Sequence, residues 1–169
     1  MVYVMSDIHG MRHHFFRMLK EIRFCDTDEL YILGDIIDRG DSFYEIYEFI
    51  RNHRNVHLLM GNHEKMMLDF IRKNNGTIKD IGYVSDDAAM AYHHWVCNGG
   101  FTTLQTMESL DDETQNEVCQ YFSALPLNAL AIRRQCNRLQ PCPSRQQENC
   151  LRLPLKGQAP TLWAHRSLF

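Results

Sequence analysis

Among the six cysteines of this chain there is no CxxC pair. The spacing of Cys136, Cys142 and Cys150 fits none of the usual zinc patterns. Without a disulfide framework or a thiolate metal motif, reduced thiols and a cytoplasmic location are expected. No apolar run approaches the roughly 18 residues of a membrane span, so no membrane partner is expected. The opening MVYVMSDIHG lacks both a basic lead and a long apolar segment, which argues against a secretory signal. Internal repeats and recognised nucleic-acid motifs are also missing. The basic C-terminal stretch holds only Trp163 and the terminal Phe169 as aromatics, too few to stack bases, so no nucleic-acid partner is expected.

What is present suits one folded domain. At 169 residues, with 44% hydrophobic and 23% charged, the chain can bury a core, which excludes disorder throughout and collagen-like structure. The charge is unevenly spread. Residues 1–127 carry 11 Lys+Arg against 20 Asp+Glu, whereas residues 128–169 carry 7 Lys+Arg and a single acid, Glu148. That last stretch also holds Pro141, Pro143, Pro154 and Pro160. The shift marks a boundary: a domain over 1–127, and a basic, Pro- and Cys-containing tail over 128–169 that is expected to be disordered.

Within the first part, strand-like and helix-like segments alternate. Val2–Met5 is a short apolar, β-branched strand, followed by helical spacing of Phe15, Met18, Leu19 and Ile22. Tyr31–Leu33 and Val56–Met60 are the next strands. Tyr44–Arg51 and His63–Lys73 are the helices that follow them. From Asp86 the pattern is helical, clearest where Val118, Tyr121, Phe122 and Leu125 recur after Asp111-Asp112-Glu113, acids suited to the positive end of a helix dipole. The order predicts an α/β fold built from βαβ units, a sheet flanked by helices. Beyond Leu127 neither period is sustained, so the second half of such a sheet is missing or replaced.

The chemistry follows the strands. After the first comes Asp7-Ile8-His9-Gly10, after the second Gly34-Asp35-Ile36-Ile37-Asp38-Arg39-Gly40, and after the third Gly61-Asn62-His63-Glu64. Ligands of open α/β sheets bind outside the carboxyl ends of the strands. Asp7, His9, Asp35, Asp38, Arg39, Asn62 and His63 are thereby expected in one crevice. Three carboxylates there need a cation. The mixed carboxylate, imidazole and amide set suits Mn²⁺, Fe²⁺ or Zn²⁺. A carboxylate such as Asp35 is able to bridge two ions. Arg39 is the natural clamp for phosphate oxygens.

The set DIHG, GDIIDRG and GNHE resembles the calcineurin-like metallophosphoesterases, in the branch of phosphoprotein phosphatases and symmetrical diadenosine tetraphosphatases. VYVMSDIHG, DELYILGDIIDRG and NVHLLMGNHEKMML look especially like small bacterial serine/threonine phosphatases, and WVCNGGFTTL continues the likeness to about Leu127. The resemblance implies that Asp7 and His9 bind a first metal, that Asp35 bridges and that Asn62 binds a second. Asp38 and His63 correspond to the acid–histidine pair that protonates the leaving oxygen, and Arg39 to a phosphate-binding arginine. It implies a metal-dependent phosphoesterase acting through a hydroxide that bridges the metals. The substrates would be phosphomonoesters, chiefly phosphoserine or phosphothreonine in proteins, or alternatively dinucleoside polyphosphates. The family pattern also calls for two later histidines, in LVHAG-like and GHT-like segments. Here the stretch after Leu127 lacks them, and His165 stands in neither context. Two protein ligands are few for a tight site, so a third reading is a catalytically impaired remnant that binds metal or phosphate. The pairs His13-His14 and His93-His94, with His53 and His57, read as surface or core histidines.

Overall fold

The computed structural model describes residues 1–79 and 85–127, and the backbone of three short strands at 140–141, 150–153 and 161–162. Strands β1 (Val2–Met5), β2 (Glu29–Ile32) and β3 (Val56–Leu58) form a parallel core with β1 pairing β2 and β2 pairing β3. Helix α1 (Arg12–Glu21) joins β1 to β2, α2 (Phe43–Asn52) joins β2 to β3, and α3 (Asn62–Lys73) follows β3. Next come α4 (Asp86–Trp95), a π-helical turn at Val96–Gly100, α5 (Phe101–Ser109) and α6 (Asp112–Ser123). The later strands are β4 (Gln140–Pro141), β5 (Cys150–Leu153) and β6 (Thr161–Leu162), giving the order β3-β2-β1-β5-β6-β4 with β5 antiparallel to β1.

The register explains the core. Tyr3, Leu30 and Val56 lie side by side, as do Met5, Ile32 and Leu58, and all six belong to one buried cluster with Phe15, Phe43, Ile46, Trp95 and Phe122. Burying each such side chain is worth about 1.5–3 kcal/mol. β1 is buried on both faces, whereas the alternate positions of β2 and β3 are only half-buried: His57 meets Glu29 at 2.5 Å and lies 4.7 Å from the Tyr31 ring. His53 Nδ1–H donates to the Phe49 carbonyl at 2.7 Å.

Sequence and structure differ at strand ends. β2 stops at Ile32 because Gly34 and Asp35, at φ 92° and 57°, turn the chain away. β3 stops at Leu58, and Met60 N–H is instead bonded to the Pro126 carbonyl at 2.9 Å. The three strands beyond 127 are two to four residues long, too short for alternation to be read. The rest of the tail lies outside the described residues. Among the described residues, no helix is long and apolar enough to cross a membrane.

Helix α6 is capped by the Asp111 carboxylate, which accepts from Thr114 N–H at 2.7 Å. On its inner side burial pushes the Cys119 thiol up to about 11. Because the thiolate is the nucleophile, iodoacetamide at pH 8 should modify exposed Cys25 and Cys97 at least about tenfold faster than Cys119. Peptide-resolved mass spectrometry reads this directly; equal rates would place Cys119 in water.

Candidate active site

Three turns at the carboxyl ends of β1, β2 and β3 meet here, and the backbones of the first two are joined. His9 N–H donates to the Asp35 carbonyl at 2.9 Å, Gly10 N–H to Ile36 at 2.7 Å and Gly40 N–H to His9 at 3.0 Å. Asp7, His9, Asp35, Asp38 and Arg39 all hold positive φ, between 47° and 70°. L-residues other than glycine rarely adopt that region. Gly10 and Gly40 allow the first two turns to touch, since a Cβ on Gly10 would stand 2.6 Å from the Gly40 carbonyl oxygen.

At the bottom of the site lies an acid–imidazole pair. His63 Nδ1 is 2.7 Å from Asp38 Oδ2, with the carboxylate wholly buried and the imidazole nearly so. Trp95 Nε1–H is shared between Asp38 Oδ1 at 3.1 Å and Oδ2 at 3.0 Å. Thr103 Oγ1–H donates to Oδ1 at 2.7 Å. Each of these neighbours is a donor, so both Asp38 carboxylate oxygens act as acceptors. His63 then carries its proton on Nδ1, and its Nε2 accepts from the Arg39 guanidinium at 3.4 Å.

Arg39 is exposed, and its backbone is fixed by a bond from its N–H to the Gly99 carbonyl at 2.9 Å. Gly99 sits at φ 102°, and a Cβ there would lie 2.7 Å from Arg39 Cγ. Gly99→Ala should therefore displace the Arg39 side chain. The expected result is a dissociation constant for inorganic phosphate raised about five- to tenfold, since strain of this kind costs about 1–3 kcal/mol. Isothermal titration calorimetry checks it; an unchanged constant would show that Arg39 does not depend on this turn.

His9 faces the same crevice. Its Nδ1–H donates to the Ile37 carbonyl at 2.9 Å, which leaves the Nε2 lone pair pointing inward, buried and without a hydrogen-bond partner. Burial, ahead of the neighbouring Arg39 and His63 charges, holds its pKa below the ordinary histidine value. A neutral imidazole with an unused, buried nitrogen fits a metal ligand. Asp7 is exposed, with Oδ1 3.8 Å from that nitrogen. Asp35 is half-buried, and its Oδ1 accepts from His63 N–H at 3.0 Å. Asn62 is exposed at the first position of α3. The donor chemistry fits a hard divalent ion, although among the described residues no three His, Cys, Asp or Glu side chains draw together into a closed metal cage.

The structure thus brings all seven sequence-predicted residues to one end of the sheet, with His63 in reach of Asp38, Arg39 and His9, and with Asp7 and Asn62 at the rim. Three further residues escaped sequence reasoning. Glu64, wholly buried, accepts from Gly61 N–H at 3.0 Å, Asp35 N–H at 2.9 Å, Ile36 N–H at 2.8 Å and Ile37 N–H at 3.4 Å. Its place after Asn62-His63, at the head of a helix, was the available signal. Trp95 and Thr103 lie more than 55 residues from Asp38 in sequence, and no local spacing pairs them with it. His13, His14, His93 and His94 are exposed, away from this cluster.

Fold and site together have the form of a metallophosphoesterase whose sheet is present in part. The profile of the calcineurin-like phosphoesterases matches residues 1–134, and the chain belongs to that family. It is similar to the symmetrical bis(5'-nucleosyl)-tetraphosphatase of Erwinia tasmaniensis, 37% identical over 68 residues, covering 39% of this chain and 25% of the relative. The corresponding enzyme of Salmonella paratyphi B is 31% identical over 68 residues, 39% of this chain and 24% of the relative. The chain therefore spans about a quarter of the length of these curated relatives. Among solved structures, a metallophosphoesterase from Sphaerobacter thermophilus aligns with TM-score 0.43 and 22% identity, over 74% of this chain and 40% of that one.

Proposed function

We propose that this chain hydrolyses phosphate monoesters, chiefly phosphoserine and phosphothreonine in proteins, as a metal-dependent phosphoesterase of the cytoplasm. The observation that carries the reading is the buried Asp38–His63 pair opening onto Arg39. Asp7, His9, Asp35 and Asn62 would hold divalent ions, Mn²⁺ in this proposal with Fe²⁺ or Zn²⁺ as substitutes. When bound, such ions polarise phosphoryl oxygens and make water more acidic.

The chain's own groups do the rest. The Arg39 guanidinium turns from His63 Nε2 to the anionic oxygens of the ester and fixes the phosphate. With Arg39 withdrawn, Nε2 takes up a proton from solvent, and Asp38 steadies the imidazolium. As water adds to phosphorus and the P–O bond to the leaving group breaks, that proton moves to the leaving oxygen. His63 returns to the neutral form with Nδ1–H on Asp38, the state the hydrogen bonding describes. We assign this work to residues 1–127 and treat 128–169 as an altered C-terminal piece.

A second reading, cleavage of dinucleoside polyphosphates, is favoured by the names of the two relatives above. The test is parallel assay of the full chain with Mn²⁺ on a phosphoserine peptide and on diadenosine tetraphosphate, each beside His63→Ala. Peptide turnover lost in the variant supports the first reading, and preference for the dinucleotide supports the second. Equal, negligible rates in both proteins would show a chain that binds without turnover, and would overturn both.

A further inference from the structure

We propose that Trp95 and Thr103 are positioning residues that lock Asp38 so that His63 is held in its Nδ1–H form, with Nε2 aimed at the leaving oxygen. This rests on the hydrolytic reading above, but its structural half stands without it. Asp38 sits at φ 70°, and the residue after it is also left-handed. A buried carboxylate on such a backbone does not choose its own direction, because neither the turn nor water orients it.

The hydrogen bonds supply the direction. Thr103 Oγ1 accepts from the Asp38 backbone N–H at 2.8 Å and donates to Asp38 Oδ1 at 2.7 Å. One hydroxyl therefore ties the main chain and the side chain of the same residue. Since its acceptor side is taken by the N–H, its single proton goes to the carboxylate. The indole N–H of Trp95 closes the opposite side, bridging both carboxylate oxygens. Gly100 lets the indole come close, since a Cβ there would be 2.5 Å from Trp95 Nε1. The Phe70 ring stacks on the indole at 5.8 Å, and Trp95 is wholly buried. With Oδ1 given to Thr103 and both oxygens touched by Trp95, the remaining direction at Oδ2 is the one taken by His63 Nδ1. Helices α4 and α5, joined by the π-helical turn, thus hold the general-acid pair from behind while Gly99 holds Arg39 from the side.

A role in proton delivery has a signature that mere packing lacks. An ester with a poor leaving group needs the proton, whereas 4-nitrophenyl phosphate, whose leaving group is already stable as an anion, needs it much less. Thr103→Val keeps the shape and removes the hydroxyl; Thr103→Ser keeps the hydroxyl. In the full chain with Mn²⁺, Thr103→Val should lower kcat on a phosphoserine peptide about tenfold or more and on 4-nitrophenyl phosphate less than about threefold, at unchanged KM. Thr103→Ser should stay near wild type on both, and Trp95→Phe should follow Thr103→Val.

Equal losses on the two esters, or a change in KM alone, would overturn the proposal. A second readout needs neither metal nor turnover: ¹⁵N imidazole NMR of the metal-free chain should show His63 as the Nδ1–H tautomer, shifting to a mixture in Thr103→Val and Trp95→Phe. An unchanged tautomer in both variants would overturn the proposal. If the wild-type chain turns over neither ester, the hydrolytic reading fails, and the tautomer measurement alone decides the positioning role.

Discussion

Removing the His63 imidazole should lower kcat on a phosphoserine peptide by about 10²–10⁴, the usual worth of a positioned general acid. KM should move much less, because Arg39, exposed at the rim, keeps its hold on the phosphate. Asp38→Asn should approach the same loss at nearly the same volume. Its carboxylate faces donors from His63, Trp95 and Thr103. An amide must turn its own NH₂ toward one of them, which sets donor against donor and frees the imidazole to rotate or change tautomer. Steady-state kinetics of the Mn²⁺-loaded chain reads both variants. A His63→Ala protein retaining kcat within about twofold would assign proton delivery elsewhere.

The second large effect is on stability. Glu64→Ala should lower the unfolding free energy by about 3–5 kcal/mol, because it strands four backbone N–H groups in a dry place. The contrast with the surface is the point. Ion pairs such as Arg17–Glu21 and Arg72–Asp69 are largely exposed and worth about 0–1 kcal/mol each. Among the described residues Glu64 forms no ion pair, and its acceptor bonds go to the turn carrying Asp35 and to the residue before Asn62. Burial pushes its carboxyl above the ordinary range, opposed by the N–H bonds from Asp35 and Ile36. Urea unfolding followed by circular dichroism should show a lower midpoint at unchanged slope. A loss below about 1 kcal/mol would mean that water replaces the carboxylate.

Most of the fold's first half was legible in the sequence. Each of the three core strands is a short apolar run, and each is followed by a turn rich in Asp, Gly or Asn, so the βαβ alternation and the placing of Asp7, Asp35 and Asn62 at one sheet end follow from period and punctuation. Strand ends were less legible, because tertiary bonds such as Met60 to Pro126 decide them. The supports of the site were not legible either. Glu64 reads as an ordinary acid in the first turn of a helix, and nothing in the spacing of Trp95 or Thr103, on two later helices, marks either. Their partners lie 65 residues away in the case of Thr103, a distance no local pattern encodes.

Five of the seven non-glycine residues with positive φ among the described residues are Asp7, His9, Asp35, Asp38 and Arg39. Each opposes its backbone preference by about 1–2 kcal/mol. All five lie in the turns after β1 and β2, so opening those two turns releases the strain and should need less free energy than unfolding the strands beneath. The amides of His9, Gly10 and Gly40, bonded across the turns, should exchange with solvent ahead of those of the β1–β2 ladder. Heat, denaturant or a protease would reach these turns first, and chemistry would be lost while most of the domain still stood.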